Sequence, residues 1–168
     1  MEMKRIFLAS ITVLFFLSCN QVVQESAQNE KVSAAESNQI SIAEKKEKLQ
    51  KDGFQIFDYV DEKTGDTMLM QQYFMVFLKS GPNRSQTKAE ADSLQTLHLA
   101  HLGKMYELGY ADISGPFGDD GDIRGITIYN TPTIQFADSL ANLDPMVKAG
   151  RLTIEIHPWW AAKGFPLR

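Results

Sequence analysis

The stretch Tyr73-Phe-Met-Val-Phe-Leu78 is an unbroken apolar run bounded by Gln72 and Lys79. A short run of this kind, rich in aromatic residues, is typical of a strand buried in the middle of a sheet. We therefore expect a central strand over residues 68–78. Before it, residues 54–60 alternate between apolar and polar, which predicts a second strand, and Thr64-Gly65 predicts the turn between them.

A long helix is predicted after the loop of residues 80–85. Apolar or ring-bearing residues recur every three or four positions over residues 87–108, so they form one stripe along a helix. The stripe comprises Leu94, Leu97, His98, His101, Leu102, Met105 and Leu108. Gly109 is suited to end this helix, because glycine readily adopts the left-handed conformation that follows a helix.

Further elements follow towards the C-terminus. Residues 110–114 and 123–129 predict two strands around an acidic turn, Gly115–Asp122. Thr131 is suited to cap a second helix with Pro132 at its first position, and this helix should reach about residue 142. Residues 152–157 alternate and predict the last strand, which Pro158-Trp159-Trp160 closes.

This order predicts an α+β fold of the ferredoxin-like type, β-α-β-β-α-β, with an extra N-terminal strand. In that arrangement the helices cover one face of an antiparallel sheet. The other face also needs a cover, and in so small a domain a second copy of the chain is the simplest one. We therefore expect a homodimer.

The N-terminus has the parts of an export signal. Lys4 and Arg5 precede an apolar run from Ile6 to Leu17, which is shorter than the roughly 20 residues that a membrane-spanning helix needs. The string Phe16-Leu-Ser-Cys19 resembles the lipobox of bacterial lipoproteins. The resemblance implies that residues 1–18 are removed and that Cys19, the single cysteine, is acylated and anchors the chain to the cell envelope. The alternative is an ordinary secretory signal that leaves a free thiol.

Residues 19–51 are predicted to form a flexible tether, because they lack apolar periodicity and aromatic side chains. A nascent helix over residues 42–49 is the exception. Residues 52–168 then form one domain. The chain carries a net charge of −4, which becomes −5 without Glu2, Lys4 and Arg5, and this acidic balance argues against a nucleic-acid partner.

His98 and His101 are the candidate chemical groups of the first helix. An imidazole among leucines must find a hydrogen-bond partner or face a cleft. A structural pair at an interface is the simpler interpretation. A metal site is weakly supported, because zinc-binding helices place histidines four residues apart and add a third ligand.

Asp144-Pro145 follows the second helix and is suited to cap a short helical turn that Gly150 ends. An N-cap carboxylate can also orient a nearby imidazole and raise its basicity. Arg84 and Arg124 are candidates for holding an anionic substrate, although single surface arginines are common. The acidic turn lacks the spacing of a calcium loop. No glycine-rich phosphate loop or haem or zinc framework is present, so we expect no cofactor and no metal.

Several strings together resemble a YciI-like (YCII-related) domain over about residues 73–165. They are Leu94-Gln-x-x-His98-Leu-Ala, Gly115-Pro-Phe117, Asp122-Ile-Arg-Gly-Ile126, Asp144-Pro-Met-Val-x-Ala-Gly150 and Ile156-x-Pro-Trp159. The resemblance implies a dimeric α+β barrel in which two ferredoxin-like units pack sheet to sheet. It also implies a cleft where His98 and Asp144 form an acid/base pair. His101, Arg84 and Phe117 are predicted as binding residues.

The resemblance does not fix an activity. Some YciI-like proteins act in the breakdown of chlorinated aromatic compounds, and the wider fold includes lactone isomerases and monooxygenases. Our first hypothesis is an isomerase or lyase that moves a proton on a small polar or aromatic molecule. The alternative is a non-catalytic module of the cell envelope that binds a ligand or a protein.

Overall fold

The computed structural model describes residues 41–165 and 167 of the 168-residue chain. The predicted signal peptide and Cys19 lie outside the described residues. Ile42 begins a compact unit that continues to the C-terminus. Its elements in chain order are α1 (Ile42–Lys51), β1 (Ile56–Val60), β2 (Thr67–Ser80), α2 (Lys88–Glu107), β3 (Ala111–Pro116), β4 (Ile123–Tyr129), α3 (Ile134–Ala141), α4 (Pro145–Lys148) and β5 (Leu152–Ala162).

The sheet is built around β2, as the apolar run predicted. One edge of β2 pairs with β5 from Met70 to Ser80. The other edge pairs with β1 near its start and with β4 from Phe74 onwards. β3 pairs with β4 on the outside. All pairings are antiparallel, and four of the strands lie in the order β5-β2-β4-β3.

The core lies between one face of this sheet and the helices α2, α3 and α4. Successive side chains of a strand point to opposite faces, so Phe74, Val76 and Leu78 share the helix-facing side. The buried cluster on this side comprises Phe74, Val76, Leu78, Met105, Ala111, Tyr129, Ala137, Leu140, Ala141, Met146 and Leu152. The opposite face carries Met75, Phe77 and Ile128 in adjacent register positions.

The buried stripe of α2 is narrower than the sequence predicted. His98 and Met105 are buried, and Leu94, His101 and Leu102 are half-buried. Leu97 and Leu108, in contrast, are each 53 % exposed. The prediction was wrong for these two leucines, because only the side of the helix that meets the sheet and α4 is covered.

The predicted start of α3 was also wrong. The N-cap is Thr133, whose side chain accepts a hydrogen bond from the Phe136 N–H at 3.2 Å. Thr131 is buried, and its hydroxyl donates to the Thr133 carbonyl at 3.2 Å. Thr131 and Pro132 therefore form the turn that precedes the helix.

The last strand is longer than the predicted residues 152–157. β5 continues to Ala162, because β2 offers a pairing edge of matching length. The two tryptophans expected to close the strand lie within it. Trp159 contacts Tyr73 and Trp160 contacts Phe57, with ring centroids 6.3 Å and 5.0 Å apart.

Residues 42–51, placed in the tether by the sequence analysis, form the helix α1. None of its residues is buried, but Lys46 forms an ion pair with Asp58 of β1. Gly53, with a φ of 87°, lets the chain turn from this helix into β1. The folded unit therefore begins about ten residues earlier than predicted. Over residues 41–165, no helix is long and apolar enough to cross a membrane.

Candidate functional site

Asp144 is held in place as the N-cap of α4. Its Oδ1 accepts a hydrogen bond from the Met146 N–H at 2.8 Å, and Pro145 occupies the first turn. A carboxylate is stabilised at a helix N-terminus, because it satisfies an otherwise free backbone N–H. Asp144 is only 2 % exposed, so its second oxygen also needs a partner inside the protein.

That partner is His98. The Nδ1 of His98 lies 2.6 Å from Oδ2 of Asp144. The ring is placed there by α2, whose start is fixed by reciprocal hydrogen bonds between Thr87 and Glu90. His98 and Asp144 are both buried. The contact between His98 and Asp144 that the resemblance implied is therefore present.

The geometry assigns different tasks to the two ring nitrogens of His98. An Nδ1–H that donates to Asp144 leaves the lone pair of the neutral ring on Nε2. Nε2 makes no hydrogen bond to any residue from 41 to 165. A nitrogen in this state can take a proton from a bound molecule, and Asp144 then stabilises the resulting imidazolium.

Tyr129 is a neighbour of this pair that the sequence analysis did not single out. Its ring is buried, and burial raises the pKa of the Tyr129 hydroxyl, with a further contribution from the Asp144 carboxylate. The phenol therefore stays neutral beside Asp144. Tyr129 could not be recognised from the sequence, because it ends a predicted strand rich in β-branched residues and belongs to no motif.

His98 lines a cavity of about 440 Å³ between α2 and the ends of the strands. This volume lies within the usual range of small-molecule sites. The lining residues are Leu78, Arg84, Gln95, His98, Leu99, Leu102, Ser114, Gly115, Pro116, Arg124, Gly125, Ile126, Met146, Arg151 and Leu152. The cavity thus combines apolar walls with a few polar groups that converge on one space.

Arg84 and Arg124, which the sequence analysis considered for anion binding, both line this cavity. Arg151 joins them and was missed. It directly follows Gly150 of the Asp-Pro string, so its position was visible in the sequence, but nothing in the spacing connected it to Arg84. Gln95 and Ser114 were missed for the same reason.

His101 and Phe117 are placed elsewhere. His101 does not line the cavity, and its Nε2 is buried without a hydrogen-bond partner among the described residues. Phe117 is exposed and borders a separate surface depression with Asp119, Asp122 and Ile123. The structure therefore does not bring these two predicted binding residues to the His98 cavity.

Metal-ligating side chains do not cluster in the described part of the chain. No three residues among His, Cys, Asp and Glu are grouped closely enough there to hold an ion. Asp119, Asp120 and Asp122 of the acidic turn are exposed, in agreement with a solvated turn.

Among solved structures, the chain shows a loose similarity to an enzyme. The 5-chloro-2-hydroxyhydroquinone dehydrochlorinase TftG from Burkholderia phenoliruptrix AC1100, solved with 2,5-dihydroxybenzoquinone, is 22 % identical. The match covers 52 % of this chain and 92 % of TftG, with a TM-score of 0.39. A superposition this loose assigns no reaction to the chain. No known sequence family matches, and no curated protein matches either.

The half-buried ring of His101 predicts a loss of stability in acid. Burial lowers the pKa of His101 below its usual 6.5, against the opposing attraction of Asp144. The unfolded chain therefore binds the proton more readily than the native state, and the free energy of unfolding falls as the pH drops below 6.5. His101→Leu removes this contribution, so the variant loses less stability than the wild type between about pH 7.5 and about pH 5.5.

Urea unfolding at the two pH values measures this difference. Lys104→Gln, at an exposed position of the same helix, is the control and keeps the wild-type pH dependence. An unchanged dependence in His101→Leu would show that His101 is protonated equally well in the native and unfolded states.

Proposed function

We propose that this domain is an acid/base enzyme of the isomerase or lyase type that acts on a small polar or aromatic molecule. The observation that carries the proposal is the 2.6 Å hydrogen bond between buried His98 and Asp144 at the wall of a ligand-sized cavity. His98 is the general base or acid, and Asp144 orients it.

In this proposal Nε2 of His98 takes a proton from a carbon of the bound molecule. The positive charge that forms on the ring is stabilised by Asp144, whose other oxygen is fixed by the Met146 N–H. An isomerase returns the proton to a different carbon, whereas a lyase completes the reaction by losing a leaving group. Positioned general acid/base groups of this kind contribute about 10²–10⁴-fold to a rate.

A non-catalytic ligand-binding module is the second candidate. The strong burial of His98, which is 8 % exposed, favours it, because a general base must reach the proton that it removes. Both candidates use the same cavity. They differ in whether a bound molecule exchanges a carbon-bound proton with the solvent.

An enzyme of this type exchanges a carbon-bound proton of its substrate with the solvent. In D₂O the protein should catalyse uptake of deuterium into at least one of a set of enolisable ketones, lactones and hydroxylated aromatic compounds, measured by NMR. His98→Gln and Asp144→Asn should each lower the rate by about 10²–10⁴-fold, because they remove the base or its orienting partner.

Asp92→Asn is the matched control, since it makes the same chemical change at an exposed position of α2. It should retain the wild-type rate. Circular dichroism checks that each variant is folded. A rate in Asp144→Asn equal to the wild type would rule out a working pair, and binding without any exchange would support the non-catalytic module.

We also propose that the domain is a ferredoxin-like unit that dimerises through the uncovered part of its sheet. The strand order β5-β2-β4-β3, with helices α2, α3 and α4 on one face, supports this arrangement. On the other face, Met75 and Phe77 are only half-buried, and Trp159 is 40 % exposed. A cavity of about 490 Å³ with largely apolar walls opens on this same face. A second copy would cover it.

Sedimentation tests the dimer. Met75→Lys places a charge on the uncovered face, where pairing would bury it at a high cost in free energy. The variant should sediment as a monomer while the wild type sediments as a dimer. Leu97→Lys introduces the same charge on the exposed side of α2 and should leave the dimer intact. A monomeric wild type at micromolar concentration contradicts the proposal.

We propose further that the mature chain begins at Cys19 and is held at the bacterial envelope by acyl chains. The basic residues, the apolar run and the single cysteine after Ser18 support this. Cells that express the protein and are fed a palmitate analogue should incorporate the label into the wild type and not into Cys19→Ser. Label in both proteins, or in neither, would contradict acylation at Cys19.

A further inference from the structure

The charged side chains that line the His98 cavity are all arginines. Arg84, Arg124 and Arg151 are the three arginines in the described part of the chain, and all three line this cavity. No lysine, aspartate or glutamate does so. In a chain with a net charge of −4, this concentrates positive charge at one place.

Arg84 and Arg124 form few hydrogen bonds or ion pairs within the described part of the chain. Arg84 makes no hydrogen bond or ion pair with another residue of the described region. Arg124 donates to the Gly121 carbonyl at 3.0 Å, and its only carboxylate neighbour there, Asp120, is 3.9 Å away and fully exposed. Each guanidinium carries five donors, so most of its bonding capacity remains free.

Arg151 also has a donor group without a partner among the described residues. Its Nη1 donates to the Gln86 side chain at 3.1 Å, but its Nε is buried and lacks an acceptor within the described residues. A buried N–H without a partner is costly, and a charged one more so. Arg151 also lines the cavity, where the remaining donors of its guanidinium can bind an anionic oxygen.

The remaining lining residues of the cavity indicate what the rest of a bound anion would look like. Leu78, Leu99, Leu102 and Met146 give the cavity apolar walls. A planar carboxylate can accept two parallel hydrogen bonds from one arginine guanidinium. The ammonium group of a lysine cannot donate in this geometry. The cavity therefore suits an apolar body that carries one acidic group.

We propose that the molecule bound beside His98 is a small organic carboxylate, held at its acid group by Arg84, Arg124 and Arg151. This inference rests on the proposed function, because it names the class of substrate for the same cavity. The arginines would also stabilise negative charge that develops when a neighbouring carbon loses its proton. Among the small polar or aromatic molecules considered above, carboxylic acids are therefore the proposed substrates.

The test compares benzoate with benzamide, which has the same shape and no charge, on the full-length protein. Benzoate should bind, perturb the NMR signals of the His98 ring, and bind at least about 10-fold more tightly than benzamide, as expected for loss of charge-assisted hydrogen bonds. Arg84→Gln and the double variant Arg84→Gln/Arg124→Gln should weaken benzoate binding in that order, by about 10-fold or more for the double variant. Both should weaken benzamide binding less than benzoate binding, because the neutral amide loses hydrogen bonds but no charge attraction.

Lys104→Gln is the matched control, because it removes one positive charge from α2 outside the cavity. It should change benzoate binding less than 2-fold, in line with a screened surface charge. Equal binding of benzoate and benzamide, no binding of benzoate, or the same effect in Lys104→Gln as in Arg84→Gln would overturn the inference. If benzoate binds as expected but Asp144→Asn exchanges protons like the wild type, only the proposed catalysis fails.

Discussion

A carboxylate that is almost completely removed from water cannot remain without partners, and this constraint organises the centre of the molecule. Asp144 meets it with both oxygens: one accepts the Met146 N–H and the other binds His98. The first bond starts α4, and the second fixes α2 against it. Because His98 is also buried, each residue satisfies the other, and removal of either leaves a polar group stranded in the interior.

Features set by local sequence signals were predictable, whereas features set by tertiary packing were not. The cap at Asp144 was predictable, because Asp-Pro before an apolar residue is a local signal. The strand β2 was predictable from six apolar residues, and β4 was predicted with its observed bounds. Thr131 also offered a local capping signal, but it is buried by tertiary contacts, and its hydroxyl is used in the preceding turn. A local capping signal cannot identify the N-cap when tertiary packing decides which of two threonines, Thr131 or Thr133, takes that position.

Contacts between residues that lie far apart in the sequence could not be predicted either. Arg84 precedes α2 and Arg151 precedes β5, so only the folded chain brings them to one cavity with His98. The same applies to β5, whose true length follows from the edge that β2 presents and not from its own alternation. Phe117 shows the reverse case: it lies in a string close to the site residues in sequence, yet its ring borders another surface.

The length of β2 has a consequence for how the protein reaches this state. Its partner on one edge is the last strand of the chain, so Met75 pairs with His157 across most of the domain sequence. Pairings between such distant segments form slowly, because a long loop must close before they stabilise anything. Arg151 and Leu152 stand at the start of this strand and complete the wall of the His98 cavity. The pairing that closes this edge of the sheet therefore also completes the cavity wall, and a chain that ended before Arg151 would lack both.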